Sequence, residues 1–594
     1  MIEARVYRAA FIPALLALVL AMFSFQSRPR PLPQGLAADI LFDGHEAARL
    51  AARIATQQPD RRAGEPGDAA AANLVVRQLQ ARSFQPDQIE RQRFTHAGRR
   101  LENVIGRRAG ASRRQIVIVA ARDAGAVPDG PGSASDTAAL LELARVFQGR
   151  PSRKTLVLAS VDGSNLGEVG TERLLTELGS PDFVDAVLVV SSLGSDATEP
   201  SVEAWSNDSR RAGIGLQRTV ADSIRQELDE AADGTGTLGQ LARLAFPIGI
   251  GPQGVLLAEG YEAVRISGSG ELPPAGDGPV EAIDEDRLGA LGRATLRTVT
   301  ALDQGRRPQH GPESYLLAVS QVLPGWLISL LAGTLLLPVL VASVDAFARA
   351  RRRRIEVLPW LRWIGAWVAP FLAGLAVAEL LALTGATPPP PPAPVPPTQL
   401  PLDGPALAVL GGVVVGMALA LILARWLAAR PDERLKRPDA PGAAVALALA
   451  ISVGSLALWL LNPYAGLLAV PAAHLWMLAV LARPVPSRRA RLAMLAGGLL
   501  APLFVTVYYL FALSLDPLHG AWYLLMLVTG HSVGLATSLA GCLLLASACA
   551  TAELAWRVPG EREPAPGETG PSVYGPGAYA GPGSLGGTKS ALGR

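Results

Sequence analysis

The chain has 594 residues, 49% of them hydrophobic and 18% charged, and a formal net charge of +3. This length exceeds one ordinary domain, and so apolar a composition excludes a disordered protein. The mean hydropathy is +0.28, and the apolar residues gather into runs long enough to cross a bilayer, with the basic residues beside them, which argues against a purely soluble or nucleic-acid-binding protein.

Residues 1–37 are predicted to form an N-terminal membrane span. The stretch 9–25 is apolar, and two arginines lie on each side of it. Because no clear small-x-small cleavage site follows the apolar run, we interpret the segment as an uncleaved signal anchor. A cleaved signal peptide is the alternative.

Residues 38–312 have the pattern of a soluble α/β domain. Amphipathic periodicity predicts helices over residues 46–56, 68–81, 137–147, 168–178 and 285–303. Short runs rich in Val, Ile and Leu predict buried strands over residues 115–120, 155–160 and 186–190. The alternation predicts a mainly parallel sheet with helices on both faces.

Residues 313–555 are predicted to form a bundle of about seven transmembrane helices. The apolar runs cover residues 321–344, 360–384, 404–427, 442–461, 464–482, 493–515 and 521–552. Arginine-rich loops follow the first, third and fifth runs, and the loops between them contain no Lys or Arg. Since basic loops stay on the cytoplasmic side, we expect a multi-pass protein of the plasma (cytoplasmic) membrane, with the soluble domain extracytoplasmic.

Two segments are rich in residues that disfavour regular structure. Residues 556–594 contain much Gly, Pro and Ser and predict a disordered cytoplasmic tail. The loop at 388–401 is dense in proline and is expected to be an extended, stiff spacer. Only two cysteines are present, Cys542 and Cys549, and both fall in the last apolar run, so we expect no disulfide framework and no cysteine zinc site.

Several motifs follow one another in the soluble domain. They are LENVIG at 101–106, ARD at 121–123 directly after a strand, GSASDTAALLELAR at 132–145 and GSNLGEVGT at 163–171. Their order resembles the di-zinc aminopeptidases of metallopeptidase family 28 (aminopeptidase Y-like), over roughly residues 43–305. The resemblance implies a zinc-exopeptidase-like fold, with the reaction centre in the loops after the strands.

The same resemblance implies where the metal ligands and the general base would lie. The positions of the first ligand His, the bridging Asp, the catalytic Glu, the ligand Glu and the second Asp fall on Ala121, Gly132, Ser164, Asn165 and Ser191. The second His is expected around residues 267–280, and no His occurs there. The domain's three histidines, His45, His96 and His310, lie outside the motif positions. Only Asp123, which orients the first His in the family, is retained.

These replacements predict a domain without a zinc centre. Ala and Gly offer no ligand atom, and Ser and Asn are poor zinc ligands beside imidazole and carboxylate. We therefore expect no cofactor and no peptidase activity, and a role in binding or scaffolding of a peptide, glycan or lipid-linked partner. The candidate binding cleft comprises Arg122, Asp123, Ser133, Asp136, Asn165 and Ser191.

Two other interpretations remain open. The chain could be an active membrane-bound metallo-aminopeptidase whose zinc site is shifted or misaligned, because acidic residues follow the strands at Asp123, Asp136, Glu168 and Asp196. It could also be a transporter with an extracellular sensor domain.

Ionisable residues do fall within predicted spans, and we expect His474 and His531 to form neutral hydrogen bonds between helices.

Overall fold

The computed structural model describes residues 3–33, 41–229, 235–305, 311–318, 321–429 and 441–557. The predicted tail beyond residue 557, the basic loop at 430–440 and His310 lie outside the described residues.

Ten strands form two sheets in this part of the chain. They are β1 (Gln26–Ser27), β2 (Ile89–His96), β3 (Arg99–Arg108), β4 (Ser112–Ala121), β5 (Lys154–Val161), β6 (Val184–Ser191), β7 (Ser201–Glu203), β8 (Ala263–Ser267), β9 (Tyr315–Ala318) and β10 (Gln321–Pro324). The large sheet has the strand order β2-β3-β5-β4-β6-β8-β7, and the small sheet has the order β1-β10-β9.

The large sheet is mixed, whereas the sequence predicted a mainly parallel one. Strands β5, β4, β6 and β8 are parallel neighbours, and β2, β3 and β7 join them with antiparallel pairing. The hairpin between β2 and β3 turns at Ala97 and Gly98, which both have positive φ, as a tight two-residue turn requires. Strand β2 was missed because its polar sequence, IERQRFTH, lacks the apolar run of a buried strand.

Eighteen α-helices lie in the described residues. Those before the bundle are α1 (Ala4–Ala9), α2 (Ile12–Phe23), α3 (Gly44–Gln57), α4 (Pro66–Ala81), α5 (Ser135–Val146), α6 (Val169–Leu178), α7 (Ile214–Leu228), α8 (Thr237–Ala245), α9 (Pro252–Ala258) and α10 (Glu285–Gln304). Those of the bundle are α11 (Gly325–Arg352), α12 (Leu358–Leu383), α13 (Gly404–Ala429), α14 (Pro441–Leu461), α15 (Pro463–Leu481), α16 (Arg488–Ala512), α17 (Pro517–Thr529) and α18 (Leu535–Arg557).

Helices cover both faces of the large sheet. A side chain at Gly106 of β3 would meet Leu79 of α4, and the next residue, Arg107, donates to the Glu177 carbonyl of α6. Because successive residues of a strand point to opposite faces, α4 and α6 lie on opposite sides. The core between the layers is apolar: Val117, Ile118 and Val119 of β4 are fully buried.

Eight helices of the described residues are long and apolar enough to cross a membrane, which indicates a multipass membrane protein. They are the N-terminal segment Ala4–Phe23 and α11, α12, α13, α14, α15, α16 and α18. The last predicted span, 521–552, is not one helix. The short α17 ends at Thr529, and the chain turns at Gly530 and His531, whose φ is +62°, before α18 begins.

The N-terminal helices belong to the bundle. The Tyr7 hydroxyl of α1 donates to Nδ1 of His474 in α15 at 2.6 Å, and Nε2 of that ring donates to the Leu335 carbonyl of α11 at 2.8 Å. Phe11 stacks on the same ring. Both ring nitrogens therefore have partners, as expected for a neutral histidine that links helices.

Candidate functional site

The parallel strands of the large sheet end together at one edge, which is the candidate cleft. Strands β4, β5, β6 and β8 end at Ala121, Val161, Ser191 and Ser267. The crevice outside the carboxyl ends of parallel strands is where open α/β sheets bind ligands. The motif positions Ala121 and Ser191 end β4 and β6, and Gly132, Ser164 and Asn165 lie in the segments that follow β4 and β5.

The first two motif positions offer no ligand atom. The methyl group of Ala121 packs against the apolar core. Gly132 is buried, and a Cβ atom there would lie 2.0 Å from Oδ1 of Asp129. The Asp129 carboxylate thus occupies the space of the missing side chain, and it accepts hydrogen bonds from Ser133 N at 3.0 Å and Ser133 Oγ at 2.7 Å.

Asp123 holds the turn that contains the two glutamate positions of the motif. Its carboxylate accepts hydrogen bonds from Ser164 N at 3.0 Å, Asn165 N at 2.9 Å and Asn165 Nδ2 at 3.0 Å. The side chain is 1% exposed, and burial raises the pKa of its carboxyl above the ordinary value. Asp123 therefore orients a loop of its own chain.

Two further acids are buried beside this loop. Asp136 accepts hydrogen bonds from Ser192 N at 2.9 Å and Leu193 N at 3.0 Å, and burial raises the pKa of its carboxyl to about 8. Glu168 accepts a hydrogen bond from Thr171 Oγ1 at 2.9 Å, and burial raises its pKa to about 8 as well. Burial therefore favours the neutral, protonated form of both carboxyls.

Arg122, one of the predicted cleft contacts, does not reach the cleft. Its side chain is fully buried and makes two hydrogen bonds of 2.8 Å with the Asp68 carboxylate. It also donates to the Glu102 carbonyl at 2.6 Å. Asp123, Ser133 and Asp136 are buried too, so Asn165 and Ser191 are the predicted cleft residues that stay partly exposed.

Arg61, which no sequence motif marks, contacts the segment around Gly132 from the interior of the domain. It is fully buried and donates to Ser133 Oγ at 3.0 Å and to the Gln58 carbonyl at 2.8 Å. It lies on the loop before α4, far from every motif, and only the folded chain brings it there. Its charge faces Asp129, whose attraction partly offsets the lowering of the arginine pKa by burial.

The side chains at and around the motif positions do not fit a pair of zinc ions. Across the described ranges, no three His, Cys, Asp or Glu side chains converge closely enough to hold a metal ion. The amide of Asn165 is already bonded to Asp123, and Asp136 has both oxygens on backbone N–H groups. A zinc centre needs imidazole, thiolate or carboxylate atoms aimed at one point.

A loop of the bundle lies over the mouth of the cleft. The Nε2 atom of Gln399, between α12 and α13, donates to Oδ1 of Asn165. On the same rim, a Cβ atom at Gly167 would lie 2.5 Å from Cδ of Pro392. The proline-dense loop, which the sequence predicted to be an extended, stiff spacer, is therefore packed on the domain.

The domain is also bonded directly to the helices beneath it. Asn462 Nδ2, between α14 and α15, donates to the Leu244 carbonyl at 2.7 Å. The Tyr509 hydroxyl of α16 donates to the Phe246 carbonyl at 2.5 Å. Arg243 of α8 donates from Nε to the Tyr508 hydroxyl at 2.7 Å. Since each bond joins α8 or the residue that follows it to the bundle, this part of the domain forms the docking surface.

No protein-family model and no curated protein sequence matches the chain. Solved structures similar to part of it include a glutaminyl cyclase from an Acidobacteriales bacterium, at 16% identity over 47% of this chain and 99% of that one, with a TM-score of 0.36. The zinc aminopeptidase BSAP from Bacillus subtilis is 12% identical over 47% and 98%, with a TM-score of 0.37. LapB from Legionella pneumophila is 15% identical over 49% and 81%, with a TM-score of 0.39.

Proposed function

We propose that this chain is a membrane-anchored pseudo-peptidase: its zinc-exopeptidase-like domain lacks metal ligands and acts by binding or scaffolding outside the membrane. The observation that carries the proposal is the donor set at the motif positions. Ala121 and Gly132 offer no ligand, and the Asn165 amide is held by Asp123 and Gln399. The order of the sequence motifs supports descent from a zinc exopeptidase, and these replacements support the loss of peptidase activity.

One observation favours an active metallo-aminopeptidase with a shifted site as a second candidate. The Asp129 carboxylate lies where the side chain at Gly132 would be, so it could stand in for the bridging ligand. The buried carboxyls of Asp136 and Glu168 belong to the same edge of the sheet. The two candidates differ in whether the native chain binds zinc.

Zinc binding to the full-length chain, purified in detergent, tests the proposal. We expect substoichiometric zinc by elemental analysis, no hydrolysis of amino-acid anilides, and the same thermal unfolding midpoint with and without zinc. If the native state has a zinc site, zinc at about 100 times the dissociation constant of that site would add about 2.7 kcal/mol to the free energy of unfolding. A zinc-dependent rise of that size, abolished by a chelator and accompanied by hydrolysis, would establish the second candidate.

The proposed membrane topology has its own test. In a chain whose two native cysteines are replaced by serine, single cysteines are introduced at Glu199, which is exposed on the domain, and at Ser584 of the C-terminal segment. Because basic loops stay in the cytoplasm, we expect a membrane-impermeant maleimide to label position 199 in intact cells and to label position 584 only after permeabilisation. The reverse pattern would place the domain on the inner side.

A further inference from the structure

The loop that lies over the cleft has the composition of a preorganised peptide ligand. Nine of its fourteen residues at 388–401 are proline. Proline fixes φ, so such a segment holds an extended conformation and loses little conformational entropy when it binds. A single short 3₁₀ turn, Pro397–Gln399, interrupts it.

The rim of the cleft is shaped for this loop. At Gly167 a Cβ atom would lie 2.5 Å from Cδ and 2.9 Å from N of Pro392. At Gly125 a Cβ atom would lie 2.8 Å from Oδ1 of Asn165 and 3.2 Å from Nε2 of Gln399. At Gly167 the close approach of the loop therefore requires the absence of a side chain. At Gly125 a side chain would meet the amides of Asn165 and Gln399, whose hydrogen bond joins the rim to the loop.

The other side of the loop is held by the bundle. The Tyr523 hydroxyl of α17 donates to the Val395 carbonyl at 2.8 Å, and His519 Nε2 donates to the Leu400 carbonyl at 2.9 Å. Val395 and Leu400 are buried in an apolar cluster with Trp522. Proline-rich segments dock against aromatic-lined surfaces, and Trp522 and Tyr523 supply such a surface on this side of the loop.

We propose that the rim formed by Gly125, Asn165 and Gly167 is a binding site for an extended, proline-rich peptide, and that the chain's own loop at 388–401 is its resident ligand. The inference rests on the proposed function, because it names the ligand class of the same non-catalytic cleft. In this arrangement the cleft that would hold a substrate instead fastens the domain to the loop between α12 and α13. A second peptide reaches the site only when the resident loop leaves it.

The test uses a fluorescent synthetic peptide with the sequence of residues 388–401, PPPPPAPVPPTQLP. It is titrated against the full-length chain in detergent, with a chelator present, and against a chain in which the loop is replaced by a Gly/Ser linker of equal length. We expect saturable binding to the linker chain and at least 10-fold weaker binding to the intact chain. Saturable binding to the linker chain should weaken about 2- to 10-fold when the peptide carries alanine at the position of Gln399, the effect of one lost hydrogen bond.

A point variant keeps the test decisive if the linker chain fails to fold. In the intact chain, Gln399→Ala weakens the resident loop, and we expect the peptide to bind about 2- to 10-fold more tightly than to the unaltered chain. Thr398→Ala, at the exposed neighbouring position, is the matched control and should leave the affinity unchanged. Equal affinity for the unaltered chain and the Gln399→Ala chain, or no saturable binding to any of them, would overturn the inference.

The outcome is separable from that of the proposed function. Because the chelator is present throughout, peptide binding does not depend on a metal. A chain that binds zinc and hydrolyses anilides, yet takes up the peptide as described, refutes the pseudo-peptidase proposal and leaves the peptide site in place. A metal-free, inactive chain that does not bind the peptide supports the pseudo-peptidase proposal and refutes the peptide site.

Discussion

Replacing Asp68 with alanine is expected to lower the free energy of unfolding by about 3–5 kcal/mol, because it leaves a charged arginine buried without its partner. Arg122 is fully buried, and Asp68 holds it with two hydrogen bonds of 2.8 Å. Asp162 lies 3.7 Å from the same guanidinium and compensates only in part. The change should appear as a large fall in the thermal unfolding midpoint of the full-length chain.

A matched control is the pair of Asp60 with Arg62 in the same domain. This pair also has short contacts, but 58% of the arginine side chain and 44% of the aspartate side chain are exposed. Exposed ion pairs contribute little to stability because water screens them, so Asp60→Ala should shift the midpoint far less. Equal shifts for Asp60→Ala and Asp68→Ala would contradict a dominant role of burial.

The stability of the domain is expected to fall as the pH rises from about 4.5 to about 8. The pKa of Glu168 is raised from 4.5 to about 8 in the folded chain, so the folded state keeps a proton that the unfolded state releases in this range. Stability falls wherever the folded state binds more protons. At 1.36 kcal/mol per pKa unit, this one group accounts for at most about 5 kcal/mol.

Glu168→Gln isolates this contribution. The amide keeps the shape of the side chain and can still accept the hydrogen bond from Thr171 Oγ1, but it does not ionise. We expect the unfolding midpoint of the variant to fall less between pH 5 and pH 9 than that of the unaltered chain. Glu199→Gln, at an exposed position, should leave the profile unchanged. A Glu168→Gln profile parallel to that of the unaltered chain would show that this carboxyl ionises normally in the fold.

The sequence by itself determined the elements whose pattern is local. The helices predicted over 137–147 and 285–303 correspond to α5 and α10, and the apolar runs at 115–120 and 186–190 correspond to β4 and β6. Eight helices long and apolar enough to cross a membrane were expected, and eight are present in the described residues. Periodicity and uninterrupted hydrophobicity suffice here, because each depends on neighbouring residues alone.

The sequence also located the ends of two strands of the sheet, since the apolar runs mark them. Ala121 does end β4 and Ser191 does end β6. What it misjudged was orientation. Arg122 follows β4 directly, but its side chain turns into the domain toward Asp68. The direction of a side chain just beyond the end of a strand depends on what it packs against. For Arg122 that partner, Asp68, is 54 residues away in the sequence.

Only the tertiary structure decided how the cleft is closed. Gln399 and Asn165 are 234 residues apart, and Arg61 and Ser133 are 72 apart. No local pattern marks such pairs, because they form only after the domain and the helices have packed. The sequence of a proline-rich segment predicts a spacer whether or not the fold provides a surface that binds it. The shape of that surface, with glycines at 125 and 167, is a property of the folded chain.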